Sequence, residues 1–191
     1  MEKIMSKLNI GSSNPTGKYR DPEWTNIDCG GTDFGEGVLK IDATAMPTEW
    51  KDHFDEIHAV HVMEHINRNQ RFLFVQECRR VLSPKGVLYL EVPDFEQVIR
   101  TLVKAMNEKD ERMEHQMTTS VFGKQRYTGD QHCWGFTRIT LPQLLHENGF
   151  EKVEIYTNRD LDNMISHHYK QEPILLAKAT GKKYKSQGDN K

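Results

Sequence analysis

The stretch from Asp55 to Asp94 constrains this chain most: it reads DEIHAVHVMEHI, then NRNQRFLFVQECRRVLSPKG, then VLYLEVPD. Ile57, Ala59, Val60 and Val62 form a short apolar run rich in β-branched residues, and Val87, Leu88, Leu90 and Val92 form a second, bounded by Gly86 and Pro93. Both runs predict buried strands. Between them Phe72, Val75, Cys78 and Leu82 recur at helical spacing, and Ser83-Pro84-Lys85-Gly86 is expected to stop that helix. Proline lacks the amide that would continue the ladder, and glycine tolerates the reversal. Strand, helix, strand over about forty residues suits a crossover between parallel strands, whose ligands bind beyond the carboxyl ends of the strands. His61 to His65 and Val92 to Asp94 therefore fall on the expected functional rim.

Upstream, Lys7-Leu8-Asn9-Ile10 predicts a first strand, breaking into the polar loop Gly11-Ser12-Ser13-Asn14-Pro15. Gly11 lets the backbone approach a ligand, and the hydroxyls of Ser12 and Ser13 suit a carboxylate or ribose; an ordinary turn is the alternative. Trp24 to Asp28 predicts a second strand, with an acid seventeen residues after Gly11. A carboxylate there accepts both hydroxyls of an adenosine ribose. Only about a dozen residues join these strands, leaving room for a loop or a single turn rather than a full helix. A third strand, Val38 to Asp42, ends in another acid. Asp42 reads either as a second ligand residue or as a turn or N-cap aspartate.

The segments EHI and ECRRVLSPKGVLYLEVPD resemble the post-strand and "RVLKPGG" segments of class I, Rossmann-like S-adenosylmethionine-dependent methyltransferases. The similarity is strongest to a small type 11-like branch whose members begin with a "LNIG" strand, and it spans roughly residues 7 to 180. It implies an α/β fold: a mainly parallel sheet of about seven strands with one antiparallel strand and helices on both faces. One domain over residues 1–180, with S-adenosyl-L-methionine as cofactor, would be followed by a disordered polar tail over 181–191. Asp42-Ala43-Thr44-Ala45-Met46-Pro47 resembles the family's "DA…LP" segment, in which the acid reaches the adenine amino group and apolar neighbours pack on the ring. Gly11, Ser12, Ser13, Asp28, Asp42, Ala43 and His61 are thus the expected cofactor residues.

Methyl transfer from a sulfonium is an in-line displacement, so orientation and exclusion of water matter more than a dedicated base. If a base is used, His61 and His132 are the candidates, because histidine takes a proton near neutral pH. The amphipathic repeat Phe95, Val98, Ile99, Leu102, Val103 and Met106 predicts a packed helix. Met117 to Phe136 then shows no steady period and reads as a lid over the acceptor or as a surface insertion. Within it Tyr127, His132 and Trp134 offer stacking surface and polar tips, Arg126 a grip on an acidic group, and Gly123, Gly129 and Gly135 hinges. Thr140-Leu141-Pro142-Gln143 suits a capping box with Thr140 as N-cap, Asn148-Gly149 a helix end, and 152–157 and 174–179 two last strands.

Composition narrows the partners. A net charge of −2 gives no cationic field for nucleic acid, so a small-molecule or glycan acceptor is favoured. No apolar run approaches the 18 residues or so of a membrane span, and no basic-then-apolar leader opens the chain, so a cytoplasmic protein is expected. Three cysteines without a C-x-x-C pair indicate neither a disulfide framework nor a cysteine zinc site. His61-Val62-Met63-Glu64-His65 spells the inverted zinc-peptidase signature, but that chemistry needs both histidines four apart on one helix. His61 is expected to end a strand, so no metal and no zinc hydrolase is expected. A protein that binds the cofactor without transferring its methyl group is the alternative function. The oligomeric state is left open.

Overall fold

In a computed structural model the described residues, 5–11, 23–30, 36–158 and 172–182, carry seven strands in one sheet. The strands are β1 (Lys7–Ile10), β2 (Thr25–Asp28), β3 (Val38–Lys40), β4 (Phe54–Val60), β5 (Leu82–Pro93), β6 (Phe150–Thr157) and β7 (Ile174–Lys182). The helices are α1 (Arg71–Val81), α2 (Phe95–Glu108), α3 (Glu111–Phe122) and α4 (Thr140–Glu147). Strand order is β3-β2-β1-β4-β5-β7-β6, with β1 to β5 parallel and β7 antiparallel to both neighbours. This is the expected Rossmann-like architecture. The chain order reverses between β1 and β4, which opens a crevice beyond their carboxyl ends.

The apolar runs form strands because they are buried on both faces, as parallel sheets require. Ile57 and Ala59 of β4 and Leu88, Leu90 and Val92 of β5 are fully enclosed, together with Phe74, Val75, Cys78 and Val81 of α1. Burial holds the Cys78 thiol far above its ordinary range, so it is an inert packing group. Among the described residues no helix is long and apolar enough to cross a membrane.

Several expectations shift. The Ser83-Pro84-Lys85-Gly86 stop is the irregular start of β5: Phe54 pairs with Leu82 and Glu56 with Val87, so the excess residues bulge from the ladder. Ser83 Oγ donates to Asp55 Oδ1 at 2.9 Å and pins that bulge. Residues 111–122 are helical, so the aperiodic segment begins at Gly123 rather than Met117. The pattern hid α3 because it packs against α2 as one half of a helix pair rather than on the sheet. Thr140 is not the N-cap of α4. Thr137 Oγ1 accepts from the Ile139 and Thr140 amides, and Thr140 Oγ1 accepts in return from Thr137 N, so the reciprocal cap sits three residues earlier. β3 ends at Lys40, two residues before Asp42, and β7 extends through Gly181 and Lys182 into the expected tail. Ser12, Ser13, the link from β1 to β2 and residues 183–191 lie outside the described residues.

Candidate cofactor and acceptor site

Four strand ends meet at the crevice. Gly11, at φ 81°, closes β1 by donating its amide to Ile27 O at 2.9 Å, and a Cβ placed on it would stand 2.3 Å from Val62 Cγ2. Only glycine fits there, because both the left-handed backbone and the space beside the end of β4 exclude a side chain. At the end of β2, Asp28 Oδ1 accepts from Gly30 N at 2.8 Å. Asp42 Oδ1 accepts from Thr44 N and Thr44 Oγ1, both at 2.8 Å, so the acid is the first residue of an Asx turn that buries Ala43. The turn reading and the ligand reading of Asp42 are compatible, since Oδ1 makes the turn. Burial first, then the charges of Asp42 and Asp28, push the Cys29 thiol up.

The loop after Asp42 is held from behind by α1. Glu77 accepts Arg80 Nε on Oε1 and both Arg80 NH2 and the Met46 amide on Oε2, each at 2.7 Å. Arg80 NH2 also reaches the carbonyls of Met46 and Pro47, at 2.9 and 3.1 Å. The Arg80 guanidinium is the main reason the Glu77 carboxyl lies below its ordinary range. A depressed carboxyl contributes stability above its unfolded pKa and loses it as pH falls through the folded one. Arg80→Ala is therefore expected to cost about 1–2 kcal/mol at pH 7, half-exposed charge-assisted bonds being worth less than buried ones, and less at pH 3. Urea melts at the two pH values check this; equal losses would remove the pair from the account.

β4 ends at Val60, and His61 follows at φ 53°, a left-handed conformation rare outside glycine. The turn aims its ring between two buried carboxylates. His61 Nδ1 donates to Glu64 Oε1 at 2.9 Å and Nε2 lies 3.2 Å from Glu91 Oε1. Burial pulls the imidazole pKa down, but the hydrogen bonds and charges of Glu64 and Glu91 outweigh it and carry it to about 10. His61 is thus an imidazolium at neutral pH. Such a group cannot accept a proton, which argues against the expected base role and leaves it a place in holding the crevice together. Sequence reading passed over Glu91, because an acid within an apolar strand resembles an outward-facing residue until its partner is seen.

The aperiodic segment crosses the same rim. Cys133 N and Trp134 N donate to Glu64 O at 2.6 and 3.3 Å, and Phe95 N donates to Phe136 O at 2.9 Å, tying residues 133–136 over the ends of β4 and β5. His65 Nδ1 donates to Gln131 O at 3.1 Å and His132 Nδ1 to Ser120 O at 2.8 Å. Nδ1 is the donor in both rings, because a carbonyl accepts only from a protonated Nδ1, so Nε2 is the ring nitrogen left facing the rim. Burial is the first cause lowering the His132 pKa. The Tyr127 phenol is pushed up, first by burial and then by Asp130, and the charge of Asp28 adds to the shift.

Two expected acceptor residues are otherwise engaged. Arg126 Nε and NH2 donate to Asp130 Oδ2 and Oδ1 at 2.9 and 3.0 Å, so its fork closes the loop on itself. That clasp holds the Asp130 carboxyl down to about 2. Trp134 packs against the core with the guanidinium carbons of Arg71 and Arg68 at 4.3 and 5.1 Å from its ring centre. A depression of about 800 Å3 lined by Arg68, Arg71, Phe72, Leu144 and Glu147 includes none of the strand-end acids or rim histidines.

Gly123 anchors the loop at φ 78°, and a Cβ on it would meet Asp130 O at 2.3 Å and His132 N at 2.9 Å. These are backbone atoms that cannot rotate away. Gly123→Ala is expected to destabilise the protein by about 2–3 kcal/mol, combining left-handed strain with overpacking. Chemical melts check it, and a change below about 0.5 kcal/mol would mean that the loop has another resting place.

A family model described as a methyltransferase domain matches residues 15–155. Nothing among the curated proteins matches. Among solved structures, a SAM-dependent methyltransferase from Thermotoga maritima superposes with a TM-score of 0.59 at 18% identity, covering 94% of this chain and 84% of that one. A SAM-dependent methyltransferase from Methanosarcina mazei gives a TM-score of 0.58 at 14% identity, covering 95% and 94%. The 1,6-didemethyltoxoflavin-N1-methyltransferase of Burkholderia thailandensis, solved with 1,6-didemethyltoxoflavin and S-adenosylhomocysteine, gives 0.53 at 10%, covering 93% and 72%.

Proposed function

The chain belongs to the methyltransferase domain family, it is an S-adenosylmethionine-dependent enzyme of that family, and we propose that it methylates a small molecule or glycan at the crevice between β1 and β4. The observation that carries this reading is that Gly11, Asp28 and Asp42 lie at or just beyond the carboxyl ends of the adjacent parallel strands β1, β2 and β3, on one side of the reversal between β1 and β4. In it Asp28 takes the ribose hydroxyls, Asp42 the adenine amino group, and Ala43 packs on the ring. The bare backbone at Gly11, with Ser12 and Ser13 beyond it, receives the amino-acid end.

The loop from Gly123 to Phe136 shelters the acceptor. Tyr127, His132 and Trp134 line or support that side, Arg126 braces the loop through Asp130, and His61 holds the floor of the crevice through its two carboxylates. His65 and His132 turn Nε2 towards the rim. The acceptor's nucleophile attacks the methyl carbon in line with the departing sulfur, and the loop excludes water that would compete. The near-neutral net charge supports a small acceptor over a polyanion. The free thiols Cys29, Cys78 and Cys133 support a reducing, cytoplasmic setting.

Calorimetry with S-adenosylhomocysteine tests the reading: one equivalent is expected to bind the full chain. Transfer of isotopic methyl from S-adenosylmethionine to a metabolite or glycan pool then separates an enzyme from a binding protein. Absence of binding in folded protein would overturn the proposal, and binding without transfer to any pool would favour the binding protein.

A further inference from the structure

We propose that Glu64, His65 and His132 bind a first-row divalent metal ion of the zinc class. Glu64 and His65 lie on the short 3-10 turn Met63–His65 after β4, and His132 comes from the loop that folds back over it. One ligand atom from each falls within 4.8 Å of the others. Ligands bound at about 2.0–2.2 Å to one tetrahedral ion stand roughly 3.3–3.6 Å apart, so closure asks for movements of about an ångström.

Two further features point the same way. Both histidines donate Nδ1 to a backbone carbonyl, of Gln131 and of Ser120, which leaves Nε2 as the ligand nitrogen and fixes each ring. Metal-binding histidines are oriented in this manner. Glu64 is buried, its Oε1 is taken by His61, and its Oε2 has no hydrogen-bond partner among the described residues. A buried carboxylate oxygen left so is rare and costly.

The ligand pair differs from the one that the HVMEH spelling suggests. His61 has both ring nitrogens turned to carboxylates and cannot ligate, whereas His65 and His132, 67 residues apart in sequence, stand with ring centres 4.8 Å apart. The expectation of no metal rested on the His61 and His65 pair, and the tertiary structure offers another. Two nitrogens and one carboxylate oxygen leave coordination positions open, as in catalytic rather than structural sites. An acceptor hydroxyl in such a position loses its proton to water more readily; its oxygen pair then forms the new C–O bond while the C–S pair returns to sulfur. That role rests on the methyl-transfer reading, but the binding of the ion does not.

The test uses the full chain, stripped with a chelator and titrated with Zn2+ by calorimetry and with Co2+ by visible absorption. One equivalent is expected, with Co2+ ligand-field bands of low coordination number. His65→Ala and His132→Ala are each expected to weaken binding at least thirtyfold, while His115→Ala, on the exposed side of α3, changes nothing. S-adenosylhomocysteine affinity is measured on the same samples. Cofactor binding without metal uptake would overturn this proposal and leave the methyltransferase reading intact; metal uptake without cofactor binding would do the reverse. Metal binding that survives both histidine variants as folded proteins also overturns it. Should either variant fail to fold, His65→Gln and His132→Gln replace them, and a wild type that takes up no equivalent settles the matter against the site.

Discussion

His61→Ala is expected to destabilise the protein by about 3–5 kcal/mol, the range found when one partner of a buried ion pair is removed. The residue stands between Glu64 and Glu91, which are 1% and 0% exposed, and it is the cation shown between them. Without it two carboxylates face each other in an enclosed space, and each must be protonated or wetted before the chain folds. Two companion variants separate this cause from simple loss of packing. Adding Glu91→Gln to His61→Ala is expected to restore part of the loss, because an uncharged amide replaces one of the repelling groups. His61→Gly is expected to be less damaging than His61→Ala by about 1 kcal/mol, since glycine adopts φ 53° without the penalty that alanine meets. The measurement is denaturant unfolding in the presence of chelator, so that bound metal does not mask the charge. A His61→Ala protein within 1 kcal/mol of wild type would mean that the two carboxylates are already neutralised by something else.

Asp28→Ala is expected to weaken S-adenosylmethionine and S-adenosylhomocysteine at least tenfold while leaving the fold intact. The acid ends β2 on the crevice, with Oδ1 also receiving the Gly30 amide at 2.8 Å. A carboxylate there gives a ribose two charge-assisted hydrogen bonds, each worth about 1.5–3 kcal/mol, although part of that returns when water replaces it. Asp28→Asn keeps an oxygen for Gly30 and for one hydroxyl, so it is expected to fall between wild type and Asp28→Ala. Calorimetry with S-adenosylhomocysteine on all three proteins gives the order. An Asp28→Ala protein with unchanged affinity would move the ribose away from β2 and remove the main support for the assigned cofactor orientation.

The parallel half of the sheet was legible in sequence because local rules set it. Ile57 to Val62 and Val87 to Val92 are too apolar and β-branched for anything but buried strands, and a helix of the right length separates them. Asp28 was legible for the same reason, since it closes β2, whereas Asp42 lies two residues beyond the end of β3. Helix α3 was not, since its ERMEHQMTTSVF shows no steady apolar period and takes its order from packing on α2. The start of the aperiodic segment was accordingly placed six residues too early.

The roles of the charged groups were decided only in three dimensions. Nothing about Arg126 in sequence distinguishes a guanidinium waiting for a ligand from one already closed on Asp130, four residues away. His61 reads as a base until Glu64 and Glu91 are seen on either side of it, and His65 has no assigned role until His132 arrives from 67 residues downstream. The physical reason is range. Hydrophobic periodicity and turn chemistry act over a few residues and survive in one dimension, whereas protonation and ligation depend on charges a few ångströms away in space. The sequence by itself determined a mainly parallel α/β sheet and the acids near its strand ends; only the tertiary structure decided which groups the histidines of that rim face.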